Sequence, residues 1–133
     1  MNSRWSQQLI TGNAVIDEHH FIIIKKLYEL EQLQKLKPTK SEIMDALLFL
    51  ETYTQMHFQA EEQFMDEQKC PVAQENKQQH KIFIEKIGDL NRQFSQGNIS
   101  DALLGNIIKD LSDWITNHIQ VVDMHIKVEE SMD

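Results

Sequence analysis

Across 133 residues the sequence holds only four glycines, two prolines and one cysteine. Few residues are therefore present to interrupt a helix, and the common ones are Leu, Ile, Gln, Lys, Glu and Met, straight-chain helix formers apart from β-branched Ile. The composition predicts an all-α protein. With Cys70 as the single cysteine, an internal disulfide is excluded. The N-terminal stretch MNSRWSQQLI has neither the apolar core nor the cleavage site of a secretory signal. The apolar run from Phe21 to Ile24 stops at Lys25, far short of the roughly 20 residues that span a bilayer. These absences together read as a soluble protein of a reducing cytoplasm. Positive charge is scarce as well. Thirteen Lys and Arg stand against 21 Asp and Glu, a formal charge of −8 with no basic cluster, which argues against phosphate-directed binding and hence against nucleic acid or an anionic membrane as partner.

The chain has the length of one domain able to bury a single core, and no repeat, linker or low-complexity segment divides it. Apolar stripes at alternating spacings of four and three predict four helices. The first, about 17–36, carries Ile16, His20, Ile23, Leu27 and Leu30 with Asp17 as its cap. The second, about 40–66, starts at Thr39 or Ser41 and carries Ile43, Leu47, Leu50, Thr54, His57, Glu61 and Phe64 or Met65. Pro71 opens the third, about 71–96, with Asn76, His80, Phe83, Ile87, Leu90 and Phe94 on one face before Gly97-Asn98. The fourth, about 100–119, begins at Ser100 and shows Leu104, Ile107, Leu111, Trp114 and His118. Short loops between comparable helices predict an antiparallel up-down-up-down four-helix bundle, preceded by an irregular arm over residues 1–16 that includes Trp5.

Six polar residues interrupt these stripes: His20, His57, Glu61, Asn76, His80 and His118. Buried polar groups are costly unless paired or bound to something. Folding the sequence at its turns places His20 18 residues before residue 38 and His57 19 after it; His80 lies 18 before residue 98 and His118 20 after. At about 1.5 Å rise per residue all four histidines share one layer. Glu61, four residues after His57, joins the same face, whereas Asp123 follows His118 by five and needs the helix to unwind or end before it can turn inward. Imidazoles with carboxylates in one layer suit first-row transition metals, and two carboxylates suffice to bridge two cations. Ferritin-type sites are disfavoured, because no histidine here has Glu three places before it.

In order and in register, Trp5-Ser6, Thr11-Gly12, Ile16-Asp17 with His20, His57-Phe58-x-x-Glu61-Glu62-x-x-Met65, His80-x-x-Phe83 and Trp114-x3-His118-x4-Asp123 resemble the hemerythrins, particularly the single-domain bacterial ones, over nearly the whole chain. The resemblance implies a four-helix bundle with a non-haem, carboxylate-bridged pair of irons that binds O2 reversibly. By position, His20 and His57 would hold the iron at which O2 binds, His80 and His118 would hold the other, and Glu61 and Asp123 would bridge them. The family has a further histidine four places before the one matching His80, and that position here is Asn76. Neither His19, beside His20, nor His125, beyond Asp123, clearly replaces it.

An asparagine can offer only a neutral amide oxygen, or a hydrogen bond to water, so the second iron is expected to be under-ligated. That predicts easier access for small anions such as azide and peroxide, and a site that loads with one iron, zinc or manganese as an alternative to two irons. Three functions remain in view: O2 storage, delivery or sensing; a di-iron peroxidase or oxidase; and a metal-binding bundle in which O2 has no part. Ile23, Ile24, Leu27, Phe58, Phe83 and Trp114 would line the pocket, or serve as plain core. No protein partner is legible in the sequence.

Overall fold

The structure is a computed structural model and describes residues 11–120. Four helices follow one another: α1 (Ala14–Gln34), α2 (Lys40–Glu67), α3 (Ala73–Ser95) and α4 (Asp101–His118). Helix α1 packs on α2 and α4, and α2 packs on α3, the neighbour relations of an antiparallel up-down-up-down bundle. Each turn contains one residue in the left-handed region, Lys37 (φ 53°), Lys69 (φ 54°) or Gly97 (φ 78°), which lets the chain leave one helix and reverse into the next. None of the described helices is long and apolar enough to cross a membrane.

Helix starts follow side-chain capping. Asn13, not Asp17, caps α1 by accepting from the backbone N–H groups of Val15 and Ile16, so the helix begins three residues earlier than the stripe suggested. Asp17 is instead the clasp for the preceding residues: its carboxylate accepts from Thr11 N (2.8 Å), Thr11 Oγ1 (2.7 Å) and Gly12 N (3.1 Å). Pro71 lies in the turn ahead of α3 rather than in its first turn. Thr39 caps α2 in a reciprocal box with Glu42, whose carboxyl is drawn below its usual range by the Thr39 backbone and hydroxyl bonds. Replacing Thr39 by Ala removes the hydroxyl half of this box and is expected to lower stability by about 1 kcal/mol, read as a reduced urea midpoint with unchanged slope.

The core runs along the bundle axis through Ile23, Leu27, Leu47, Leu50, Phe83, Ile87, Leu104 and Ile108, all buried. In α4 the buried face is Leu104, Ile108, Leu111, Ile115 and His118, while Ile107 and Trp114 are half-buried at its edge. The two possible stripes of α4 share Leu104, Leu111 and His118 and differ in the residues between. The compact Ile108 and Ile115 take the axis, and the broad Trp114 ring packs at the flank against Phe83. Beyond the polar layer a smaller cluster of Ile16, Met65 and Cys70 closes that end of the bundle. The polar layer is thus held between two apolar masses.

Candidate metal centre

The layer gathers side chains from all four helices. His20 comes from α1, His57 and Glu61 from α2, Asn76 and His80 from α3, and His118 from the last position of α4. Each is buried. The i,i+4 pairs His57/Glu61 and Asn76/His80 work because residues one helical turn apart present to the same side. Glu61 sits at the middle. Its Oε2 lies 3.1 Å from His20 Nε2 and 3.4 Å from His57 Nε2, and its Oε1 lies 3.0 Å from both His80 Nε2 and Asn76 Nδ2. Burial by itself would push the Glu61 carboxyl up, but the His57 charge and hydrogen bonds from His20, His57 and His80 outweigh it and hold the group well below the usual carboxylate range. Glu61 is an anion at the centre of four imidazoles.

Around the layer a second pattern appears. His57 Nδ1 pairs with His19 Nδ1 at 3.0 Å, His80 Nδ1 donates to Glu62 Oε2 at 2.8 Å, and His118 Nδ1 donates to Gln79 Oε1 at 2.7 Å. Each supporting residue is the chain neighbour of a residue in the layer, yet reaches a histidine on the following helix: α1 supports α2, α2 supports α3, and α3 supports α4. Such neighbours lie about 100° round the helix from the inward face, on the flank that meets the adjacent helix. Sequence reasoning quoted Glu62 in the family motif without giving it a role, passed over Gln79, and treated His19 only as a doubtful replacement ligand. The signal was available in their adjacency to Glu61, His80 and His20. Burial, then the like charges of His57 and His20, lower the His19 pKa, favouring the neutral ring that this pairing with His57 needs.

These outer bonds decide what the inner nitrogens offer. A carboxylate and an amide oxygen can only accept, so His80 and His118 both carry a proton on Nδ1 and face the layer with Nε2, which on His80 donates to Glu61 in the metal-free protein and offers its lone pair only once that proton has left. Those two Nε2 atoms stand 3.1 Å apart beside Glu61 Oε1. Two lone pairs at that distance repel unless a proton or a cation lies between them. Ligand atoms of His20, His57 and Glu61 fall within 4.8 Å of one another, as do those of Glu61, His80 and His118. Two donor sets sharing one carboxylate fit two cations, and the mixture of imidazole and carboxylate fits first-row transition metals.

The rings are also fixed in plane. Phe58 stacks on His80 with centroids 3.7 Å apart and planes within 4°, and Trp114 stacks on His118 at 4.8 Å and 10°. Asn76 is fully buried, donates from Nδ2 to Glu61 Oε1 and to Met65 Sδ (3.1 Å), and leaves its Oδ1 without a hydrogen-bond partner among the described residues. The Asp123 and His125 expectations, like that for Trp5, lie outside the described residues. The last described residues, Ile119 and Gln120, form a π turn after His118.

Comparison with known proteins agrees with this geometry. Residues 11–131 match the hemerythrin family, described as the hemerythrin HHE cation binding domain. The chain is 33% identical over 119 residues to the bacteriohemerythrin of Stenotrophomonas maltophilia, covering 87% of this chain and 73% of that one. It is 31% identical over 117 residues to the bacteriohemerythrin of Pseudomonas aeruginosa, with the same coverage, and 35% identical over 74 residues to myohemerythrin-1 of Phascolopsis gouldii, covering 56% of this chain and 55% of that one. The chain therefore belongs to the hemerythrin family, non-haem iron proteins that bind O2 at a di-iron centre.

Proposed function

We propose that this protein is an O2-binding module for storage, delivery or sensing, whose two metal positions are unequally ligated. His20 and His57 would hold one iron, His80 and His118 the other, and Glu61 and Asp123 would bridge the pair. The observation that carries this reading is the sharing of Glu61 between two buried donor sets. When bound, the iron pair supplies the electrons with which O2 is held reversibly. The chain supplies the setting: buried Ile23, Ile24 and Leu27 on α1, Phe58 against His80 with Phe83 behind it, and the Ile16–Met65–Cys70 cluster on the other side keep bulk water from the layer.

Asn76 makes the two positions unequal. Its amide oxygen, buried and unbonded among the described residues, would be the donor Asn76 offers to the metal held by His80 and His118, a weaker one than the imidazole the family has there. That metal is consequently held less tightly and is more open to water, azide or peroxide. The same observation favours a second reading, a peroxidase or oxidase that uses the open position. A third reading, a bundle loaded with a single iron, zinc or manganese, follows if the weak position stays empty or selects another ion.

Metal analysis of the purified protein, joined to absorption spectra under O2, azide and peroxide, separates the three. Two irons per chain and a stable oxygen-dependent band are expected. Sustained peroxide consumption with a reductant and no stable band would transfer the assignment to an enzyme. Absence of iron would sink both iron readings.

A further inference from the structure

We propose that Glu62, one residue beyond the central carboxylate, is a positioning residue that fixes the tautomer of His80 and strengthens it as a donor at the metal position that includes Asn76. The inference rests on the unequal ligation proposed above and assigns the group that makes it workable.

Three observations converge on Glu62. Its Oε2 accepts from His80 Nδ1 at 2.8 Å, which keeps a proton on Nδ1 and leaves Nε2, facing Glu61 and His118, as the nitrogen for a metal. Phe58 lies flat against the His80 ring and sets its plane, but a stacked ring is indifferent to which nitrogen carries the proton. The choice of tautomer therefore falls to Glu62. Second, the three described supporting residues differ in charge: Gln79 behind His118 is a neutral amide, His19 behind His57 is an imidazole, and Glu62 behind His80 is a carboxylate. A carboxylate behind a ligating imidazole raises its basicity, and outer partners of this kind typically contribute about 10- to 100-fold to metal affinity. The anion stands behind the metal position that includes Asn76.

Third, Glu62 reaches the buried ring from the edge of the bundle. Its side chain is 27% exposed while that of His80 is 2% exposed. It lines a groove of about 380 Å³ between α2 and α3, together with Gln59, Lys77 and Lys81. Lys77 is held by Asp66 at 2.8 Å, so its shortest ion pair is directed away from the Glu62–His80 bond. A partly exposed carboxylate at the groove wall thus acts on a buried ring through one hydrogen bond.

Glu62→Gln and Glu62→Ala separate orientation from charge. Gln keeps an acceptor and loses the charge; Ala loses both. In metal-free full-length protein, ¹⁵N resonances of the His80 ring are expected to report a proton held on Nδ1 in the parent and in Glu62→Gln, and in Glu62→Ala loss of that proton, leaving the Nε2-protonated form that donates to Glu61. In zinc titrations the second equivalent is expected to weaken about 10- to 100-fold in Glu62→Ala and by a smaller factor in Glu62→Gln. On an Asn76→His background the same substitutions are expected to cost less, because the third imidazole is restored. An unchanged His80 tautomer in Glu62→Ala overturns the positioning role. An unchanged second zinc affinity in Glu62→Gln overturns the role of charge, and Gln carries that arm even if the Ala variant does not fold. Neither zinc binding nor the tautomer involves O2, so failure of the oxygen-binding reading is recognised separately by the absence of an oxygen-dependent spectrum.

Discussion

Glu61→Gln is expected to leave a folded bundle that has lost its two-metal capacity. The substitution is nearly isosteric, and the described side chains around it are polar donors rather than an apolar wall, so the layer can re-form around an amide. Its metal-free cost comes from turning one acceptor oxygen into a donor among His20, His57, His80 and Asn76, about 1–3 kcal/mol for the groups left unmatched. Metal binding suffers more, because both donor sets lose their shared anion at once. Removing one partner of a buried charge pair costs about 3–5 kcal/mol. That corresponds to roughly 10²- to 10⁴-fold in affinity at 1.4 kcal/mol per decade. Metal per chain after gel filtration, with far-UV circular dichroism to confirm folding, reads both halves. Retention of two metals at parental affinity would show that Glu61 does not hold them.

The acid limb of stability supplies a second readout of the same residue. Glu61 titrates well below its ordinary value of 4.5 in the folded protein, so it contributes stability that is complete above that value. This contribution is lost as pH falls through the depressed folded pKa. Metal-free protein should therefore weaken in urea on acidification below about 4.5, and Glu61→Gln should flatten that part of the curve.

Most of the fold and the inner layer could be read from the sequence because both depend on periodicity. A histidine at the spacing of an apolar stripe must point inward, and counting residues from each turn places His20, His57, His80 and His118 at one height. Helix starts were less legible: Asn13 and Asp17 are both good capping residues, and only tertiary contact shows that Asp17 is occupied by Thr11 and Gly12. In α4 the ambiguity was between two stripes sharing three residues, which the relative bulk of Ile115 and Trp114 resolves. The supporting residues escaped because they lie off every stripe. Glu62 and Gln79 look like ordinary half-exposed polar residues until the neighbouring helix brings His80 and His118 against them.

The consequence of Asn76 can be tested by a change whose effect reverses sign with metal. Asn76→His introduces a larger ring at a fully buried position and removes the donor to Glu61 Oε1, so in excess chelator it should destabilise the protein by about 1–3 kcal/mol. With iron or zinc the added imidazole should tighten the weaker position by at least tenfold, about 1.4 kcal/mol. Because a ligand that binds only the folded state stabilises it in proportion to the logarithm of its concentration over Kd, the variant should gain on the parent as metal is added, by about 1.4 kcal/mol per tenfold tightening, and cross it at saturation where that gain exceeds the metal-free loss. Melting curves of both proteins with chelator and across a metal series read this crossing directly. The same variant should hold its oxygen-dependent spectrum longer in air, since the strengthened position excludes water and anions more effectively. A uniform loss of stability at every metal concentration would place residue 76 outside the metal centre. Equal lifetimes of the oxygen-dependent spectrum in parent and variant would remove the reason for regarding the second position as weak.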